Sequence, residues 1–149
     1  MRIRKSFLLL AIVLNIAAVS TAAENNSCST RTTSGRYVVK CDGFLSLGPN
    51  SPLLPAKGLA VATADRHGNF NGSGTVSVGG SPGLPQTVTG TEQLNPDCTG
   101  TITYHQTISG NPAPDINISF VVLRDGDRIS GIVTDAGAVY SCELTRVSR

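Results

Sequence analysis

After Ala23 the chain never repeats apolar residues at helical spacing. Gly, Thr, Ser and Val abound instead, and short alternating runs are broken by turn residues about every 8–12 positions, the pattern of an all-β fold. In the clearest run, Ile116-Asn117-Ile118-Ser119-Phe120-Val121-Val122, residues 116, 118, 120 and 122 share one face because strand side chains alternate with period two. Eight strands are expected, at roughly 36–47, 57–65, 69–79, 86–94, 98–108, 115–124, 127–134 and 137–146.

The connections are of two kinds. Tight turns are expected at Asp65-Arg66-His67-Gly68-Asn69, Asn95-Pro96-Asp97, Asp125-Gly126-Asp127 and Asp135-Ala136-Gly137, where Asp, Asn and Gly accept positive φ. Longer Pro-rich links are expected at 48–55, 80–85 and 110–114. In an up-and-down meander alternate connections share an end, so the Pro-rich links crowd one end and three tight turns close the other. Eight successive antiparallel strands leave two unpaired edges unless the sheet closes. Strands of similar length and short hairpins favour a small barrel over a flattened sandwich. Mid-strand Gly72, Gly74, Gly90, Gly100 and Gly131 fit tight coiling of such a sheet. A barrel this size holds packed side chains or one small ligand.

Met1-Arg2-Ile3-Arg4-Lys5, an apolar run from Ser6 to Val19 and the small residues 20–23 read as a secretory signal peptide, cleaved after Ala23. The run is short of the roughly 20 residues a spanning helix needs, so no integral membrane segment is expected in the mature chain. Residues 24–35 would form an N-terminal arm and 36–149 a single barrel domain, secreted or periplasmic. Losing Arg2, Arg4 and Lys5 leaves nine Lys and Arg against ten Asp and Glu. No basic run survives, which argues against nucleic acid as a partner.

Cys28, Cys41, Cys98 and Cys142 all remain in the mature chain, and oxidising export makes two disulfides the default. Cys98 and His105 invite a nucleophile–base reading. Seven residues apart along one strand, they are separated by roughly 20 Å, far beyond the hydrogen-bond reach a dyad needs. Cys98 is therefore read as structural. The arm approaches the tight-turn end where Cys98 opens the fifth strand, and Cys41 and Cys142 lie mid-strand on the first and last. The expected pairs are Cys28–Cys98 and Cys41–Cys142, with Cys28–Cys41 plus Cys98–Cys142 as the main rival. No Cys or His spacing points to a metal, and no cofactor is implied. The loop Asp65 to Gly72 breaks the calcium-loop pattern at His67 and Phe70, so a hairpin turn is expected there. Asn25-Asn26-Ser27, Asn71-Gly72-Ser73 and Asn117-Ile118-Ser119 are glycosylation sequons, relevant only in a eukaryotic secretory pathway.

Cys28 before Ser34-Gly35-Arg36-Tyr37, the segment Val88-Thr89-Gly90-Thr91, and Asn95-Pro96-Asp97-Cys98-Thr99-Gly100-Thr101 together resemble a group of small secreted bacterial proteins of unknown function. In shape that group is similar to lipocalin or allene oxide cyclase barrels. The resemblance covers most of the mature chain and implies a calycin-like barrel fold but no catalytic residue. The sequence departs from it at Glu92, where an aromatic is expected, and in carrying Cys41 and Cys142.

Glu92, Tyr104, His105 and Arg128 are the polar strand residues that can face inward, with only one of Tyr104 and His105 able to line the lumen. A carboxylate beside a Tyr or Arg in a half-closed cavity suits acid–base work, because burial raises its pKa; the alternative is a solvated outer face. Leu53, Leu54 and Leu84 are the apolar residues of the Pro-rich links, placed to form a contact patch or lid or to plug the barrel end. The leading expectation is a barrel that binds a small apolar ligand, or a partner surface, at its Pro-rich end. The alternatives are a cofactor-free cyclase or isomerase using Glu92, Tyr104 and Arg128, and a structural envelope protein with a filled barrel.

Overall fold

The computed structural model describes residues 27–46 and 51–149. The expected signal peptide, residues 24–26 of the arm with the two asparagines of their sequon, and residues 47–50 at the start of the first Pro-rich link lie outside them. One helical turn, α1 (Thr30–Thr33), precedes eight strands: β1 (Gly35–Leu45), β2 (Leu54–Ala64), β3 (Asn69–Val78), β4 (Ser81–Leu94), β5 (Thr99–Ile108), β6 (Asn111–Leu123), β7 (Arg128–Val133) and β8 (Ala138–Ser148). Each strand pairs antiparallel with the next, and β8 returns to β1, closing the barrel. No sheet edge is left to seek a partner.

The seam is covalent. Cys41 lies opposite Cys142 across β1 and β8, and the two form a disulfide. The second disulfide joins Cys28 of the arm to Cys98. Both expected pairs are present and the rival pairing is excluded.

Two of the three Pro-rich links are not links. Residues 81–85 begin β4 and residues 111–114 begin β6. The chain reverses instead at Gly79-Gly80 (φ 58° and 87°) and Ser109-Gly110 (φ 52° and 79°), two-residue loops with the two positive φ values that match strand twist in a hairpin. Pro82, Pro85, Pro112 and Pro114 are all solvent-exposed. In β6, Pro114 and Asp115 together oppose the single His105, so the missing proline N–H falls at a bulge, where the ladder is already broken.

Alternation sends Ile116, Ile118, Phe120 and Val122 of β6 into the core beside Ile102, Ile129, Val133 and Tyr140. Mid-strand glycines make room for rings on the neighbouring strands. A Cβ on Gly100 would stand 2.5 Å from Phe120 Cζ, and one on Gly90 would stand 2.7 Å from Phe70 Cζ. The aromatic ring fills the place of the absent side chain, a pairing that supports strongly curved sheets.

Candidate functional site

The two ends of the lumen are closed by different chemistry. At the end holding the β2–β3, β4–β5 and β6–β7 turns, the arm forms a lid. Thr30 Oγ1 donates to the carbonyl of Arg66 at 2.6 Å, and Cys28 N donates to the carbonyl of Pro96 at 3.1 Å beside the disulfide. Arg146 of β8 ties in the third turn. Its Nη2 donates to the Thr32 carbonyl and to Tyr37 Oη at 2.8 Å, and its Nη1 lies 3.4 Å from Asp127 Oδ1. Tyr37 Oη in turn donates to the Gly126 carbonyl at 2.9 Å. The lid is thus joined to all three turns.

Thr33, 0 % exposed, hangs from the lid into the barrel and donates its hydroxyl to Glu92 Oε1. Glu92 is 8 % exposed. Burial raises its pKa above the ordinary carboxyl value, and the Thr33 hydrogen bond pulls the other way. Beneath it lies a cavity of about 100 Å³, walled mainly by apolar groups, with Gln86, Tyr104 and Tyr140 among its polar neighbours. Desolvation raises the Tyr104 phenol strongly and pushes Tyr140 up to about 12, so both are neutral hydrogen-bonding groups at ordinary pH. Gln86 Nε2 donates to Gln106 Oε1 at 2.7 Å, and Gln106 Nε2 donates to the Pro114 carbonyl at 2.9 Å. These inward amides are satisfied by each other and by the β6 bulge.

Among the described residues the opposite end has no polar lacing comparable to this, only isolated bonds such as Ser46 Oγ to the Ser51 carbonyl at 3.1 Å. Leu54 and Leu84 fold inward with Leu45, Ile108 and Ala138 against the buried Ala56 and Val78. They plug the barrel, while Leu53 stays half exposed.

Of the residues singled out from the sequence, Glu92 and Tyr104 reach the lumen together. Arg128 does not. It faces solvent, and its Nη2 lies 2.9 Å from Glu143 Oε2 on the outer wall, because its neighbour Ile129 takes the inward position. His105 is also outside, with Nδ1 2.6 Å from Asp115 Oδ1, and Cys98 is consumed by its disulfide. Asp65 accepts hydrogen bonds from His67 N, Asn69 N and Asn69 Nδ2, which makes its loop the expected turn. Among the described residues no group of three or more His, Cys, Asp or Glu could hold a metal ion, and no helix is long and apolar enough to cross a membrane.

Thr33, Gln86, Gln106 and Arg146 join the site without a sequence motif that marks them. Arg146 shares the parity of Tyr140, Cys142 and Leu144, a signal sufficient to place it inward. Set beside known proteins, the chain matches no family model, no curated protein and no solved structure.

Proposed function

We propose that this is an exported binding module, related to the small secreted proteins it resembles, that takes a small, largely apolar ligand into its lumen past Leu54 and Leu84. The observation that carries this reading is the unequal closure of the barrel. Opening the lid end requires breaking a disulfide and several hydrogen bonds. Among the described residues, opening the plugged end breaks no disulfide and asks chiefly that partly buried apolar side chains change rotamer beside the hydrogen bonds of Ser46 to Ser51 and Gly137, a faster and less expensive motion. The lumen cavity, which neither Leu54 nor Leu84 lines, pairs apolar walls with a few convergent polar groups, the composition of small-molecule sites. Its present volume holds about three waters, at roughly 30 Å³ each, so a ligand must displace part of the plug.

The filled-barrel reading has that same small volume in its favour. The cyclase or isomerase reading keeps Glu92 and Tyr104 but lacks Arg128, and Glu92 already spends an oxygen on Thr33. One experiment separates binding from filling. Short-chain alcohols, short fatty acids and benzene are added to the wild type, to Leu84→Ala and to Leu84→Trp, and complexes are read by native mass spectrometry and thermal shift. Binding by the wild type, tightened in Leu84→Ala and abolished in Leu84→Trp, supports the lumen site. A barrel that takes none of them, even as Leu84→Ala, is a filled scaffold.

A further inference from the structure

The geometry points to a second site, on the outside of the lid: an open groove that binds a short oligoanion carrying sulfate, phosphate or carboxylate groups. It does not depend on the lumen being a ligand site. The groove has a volume of about 1190 Å³ and is bordered by Arg31 and Arg36 from the arm and β1, Arg66 and Arg124 from two turns, and Arg146 and Arg149 from the C-terminal segment. Six of the nine Lys and Arg that follow residue 23 therefore meet in one depression. The sequence hides this, because the six come from five separate stretches and the chain after residue 23 carries one more acid than base.

Two aspartates also border the groove. Asp65 is engaged by the amides of its own turn, which hold its carboxyl below the usual range, and Asp125 is exposed. Arg146 is committed to Tyr37, Thr32 and Asp127, its side chain only 6 % exposed, and forms part of the fixed floor. Arg31, Arg36, Arg66, Arg124 and Arg149 have no side-chain hydrogen bond or ion pair among the described residues. Solvent-facing guanidinium groups with unused paired donors are suited to oxyanions, which they engage two hydrogen bonds at a time.

The backbone is held in place for this. Of the four non-glycine residues with positive φ among the described residues, three border the groove: Cys98 (68°), Arg124 (52°) and Asp125 (55°). Such conformations are unfavourable for residues with a side chain and persist where surrounding structure over-determines them. Here the Cys28–Cys98 disulfide and the Arg146 hydrogen bonds supply that constraint. Among the described residues the groove's border contains no aromatic, so nucleobases find no stacking platform there. Its concavity favours a chain of charged groups over a flat lipid surface. The occupant is accordingly an acidic oligosaccharide or an oligophosphate, recognised through its anionic groups.

Binding is measured by isothermal titration at low and physiological salt with three probes: a sulfated heparin-derived oligosaccharide, an oligogalacturonate and a short linear polyphosphate. Oligothymidylate and phosphatidylglycerol vesicles serve as comparison arms. The variant Arg36→Gln/Arg66→Gln/Arg124→Gln should weaken binding by at least about tenfold. A variant of equal charge change on other outer surfaces, Lys40→Gln/Lys57→Gln/Arg128→Gln, should stay within about twofold of wild type, and added salt should weaken the interaction. Which probe binds best separates the sugar source from the phosphate source. Equal losses in the two triple variants, tighter binding to oligothymidylate or vesicles, or no binding of any oligoanion at millimolar concentration overturns the assignment.

Discussion

The lid end and the plugged end of this barrel perform the same task, excluding water from one lumen, with opposite means. The lid end buries Thr33 and Glu92, sets Tyr37 and Arg146 behind them, and connects the arm to three turns through directional bonds. The plugged end uses Leu45, Leu54, Leu84 and Ile108, whose contacts have no preferred direction. Directional bonds fix one arrangement, because a buried polar group left without its partner is costly. Apolar packing tolerates several arrangements of similar energy. The first end is therefore built for position and the second for exchange.

The largest test of that contrast is removal of the lid's bolt. The Cys28–Cys98 bond spans 70 residues, and in the chain-entropy description its loss costs about 4 kcal/mol. Urea denaturation of Cys28→Ala/Cys98→Ala should show that loss, and limited proteolysis should cut the arm first. At the other end, Leu84→Ala should cost about 2 kcal/mol, less than a fully buried leucine, because the side chain is only partly covered. Proteolysis of the arm should be unchanged in that variant. If it rises as much as in the disulfide variant, the two ends do not act separately.

Much of this was legible in the sequence. Period-two alternation in 116–122, the turn residues at 65–69 and 95–97, and an even cysteine count lead to an eight-stranded closed barrel with the observed disulfides. Residues 81–85 and 111–114 are strand and not link because their prolines take exposed positions or fall at register irregularities, where the ladder does not need their N–H. Glu92 inside and Arg128 outside illustrate the limit of parity. Around Arg128 the run Ile129-Ser130-Gly131-Ile132-Val133 has apolar residues at both parities, and Ile132 is 61 % exposed while Val133 is buried. The arm's approach to the tight-turn end was legible through Cys28, and the Cys28–Cys98 bond is present, but its folding into a lid was not legible, for a different reason. A helical turn of four residues is too short to display a period, and the arginines above it converge only after folding.

Buried Glu92 provides a pH test that belongs to the lid end alone. Its carboxyl is raised above 4.5, so the folded chain holds that proton more tightly than the unfolded chain does. Its contribution favours folding in full below about pH 4.5 and fades as pH rises through the folded value. Glu92→Gln keeps an acceptor for the Thr33 hydroxyl and removes the titration. The variant should match wild type near pH 4 and exceed it at pH 7 in melting temperature. Thr33→Val, which removes the bond favouring the carboxylate, should make the wild-type decline steeper. Parallel stability curves for wild type and Glu92→Gln across this range would show that Glu92 is not held in the dry environment the lid is said to create.

The smallest effect concerns how the lid end came to need its disulfide. The β2–β3 and β4–β5 turns follow one plan. Asp65 N donates to the Asn69 carbonyl and Asn95 N to the Thr99 carbonyl, each at 2.8 Å, and the fourth loop residue donates back to Asp65 or Asn95. That fourth residue is Gly68 in one turn, with φ 82°, and Cys98 in the other, with φ 68°. Glycine adopts this conformation without a Cβ penalty, whereas a side chain there costs about 1 kcal/mol. With the tether absent, Cys28→Ala/Cys98→Gly should therefore be about 1 kcal/mol more stable than Cys28→Ala/Cys98→Ala in urea denaturation. Gly68→Ala should lose more than that difference, since its new Cβ would also stand 2.8 Å from the Glu92 carbonyl oxygen. Equal stability of the two Cys98 variants would mean that the β4–β5 turn relaxes once untethered, and that the disulfide imposes the left-handed residue instead of holding one the turn already requires.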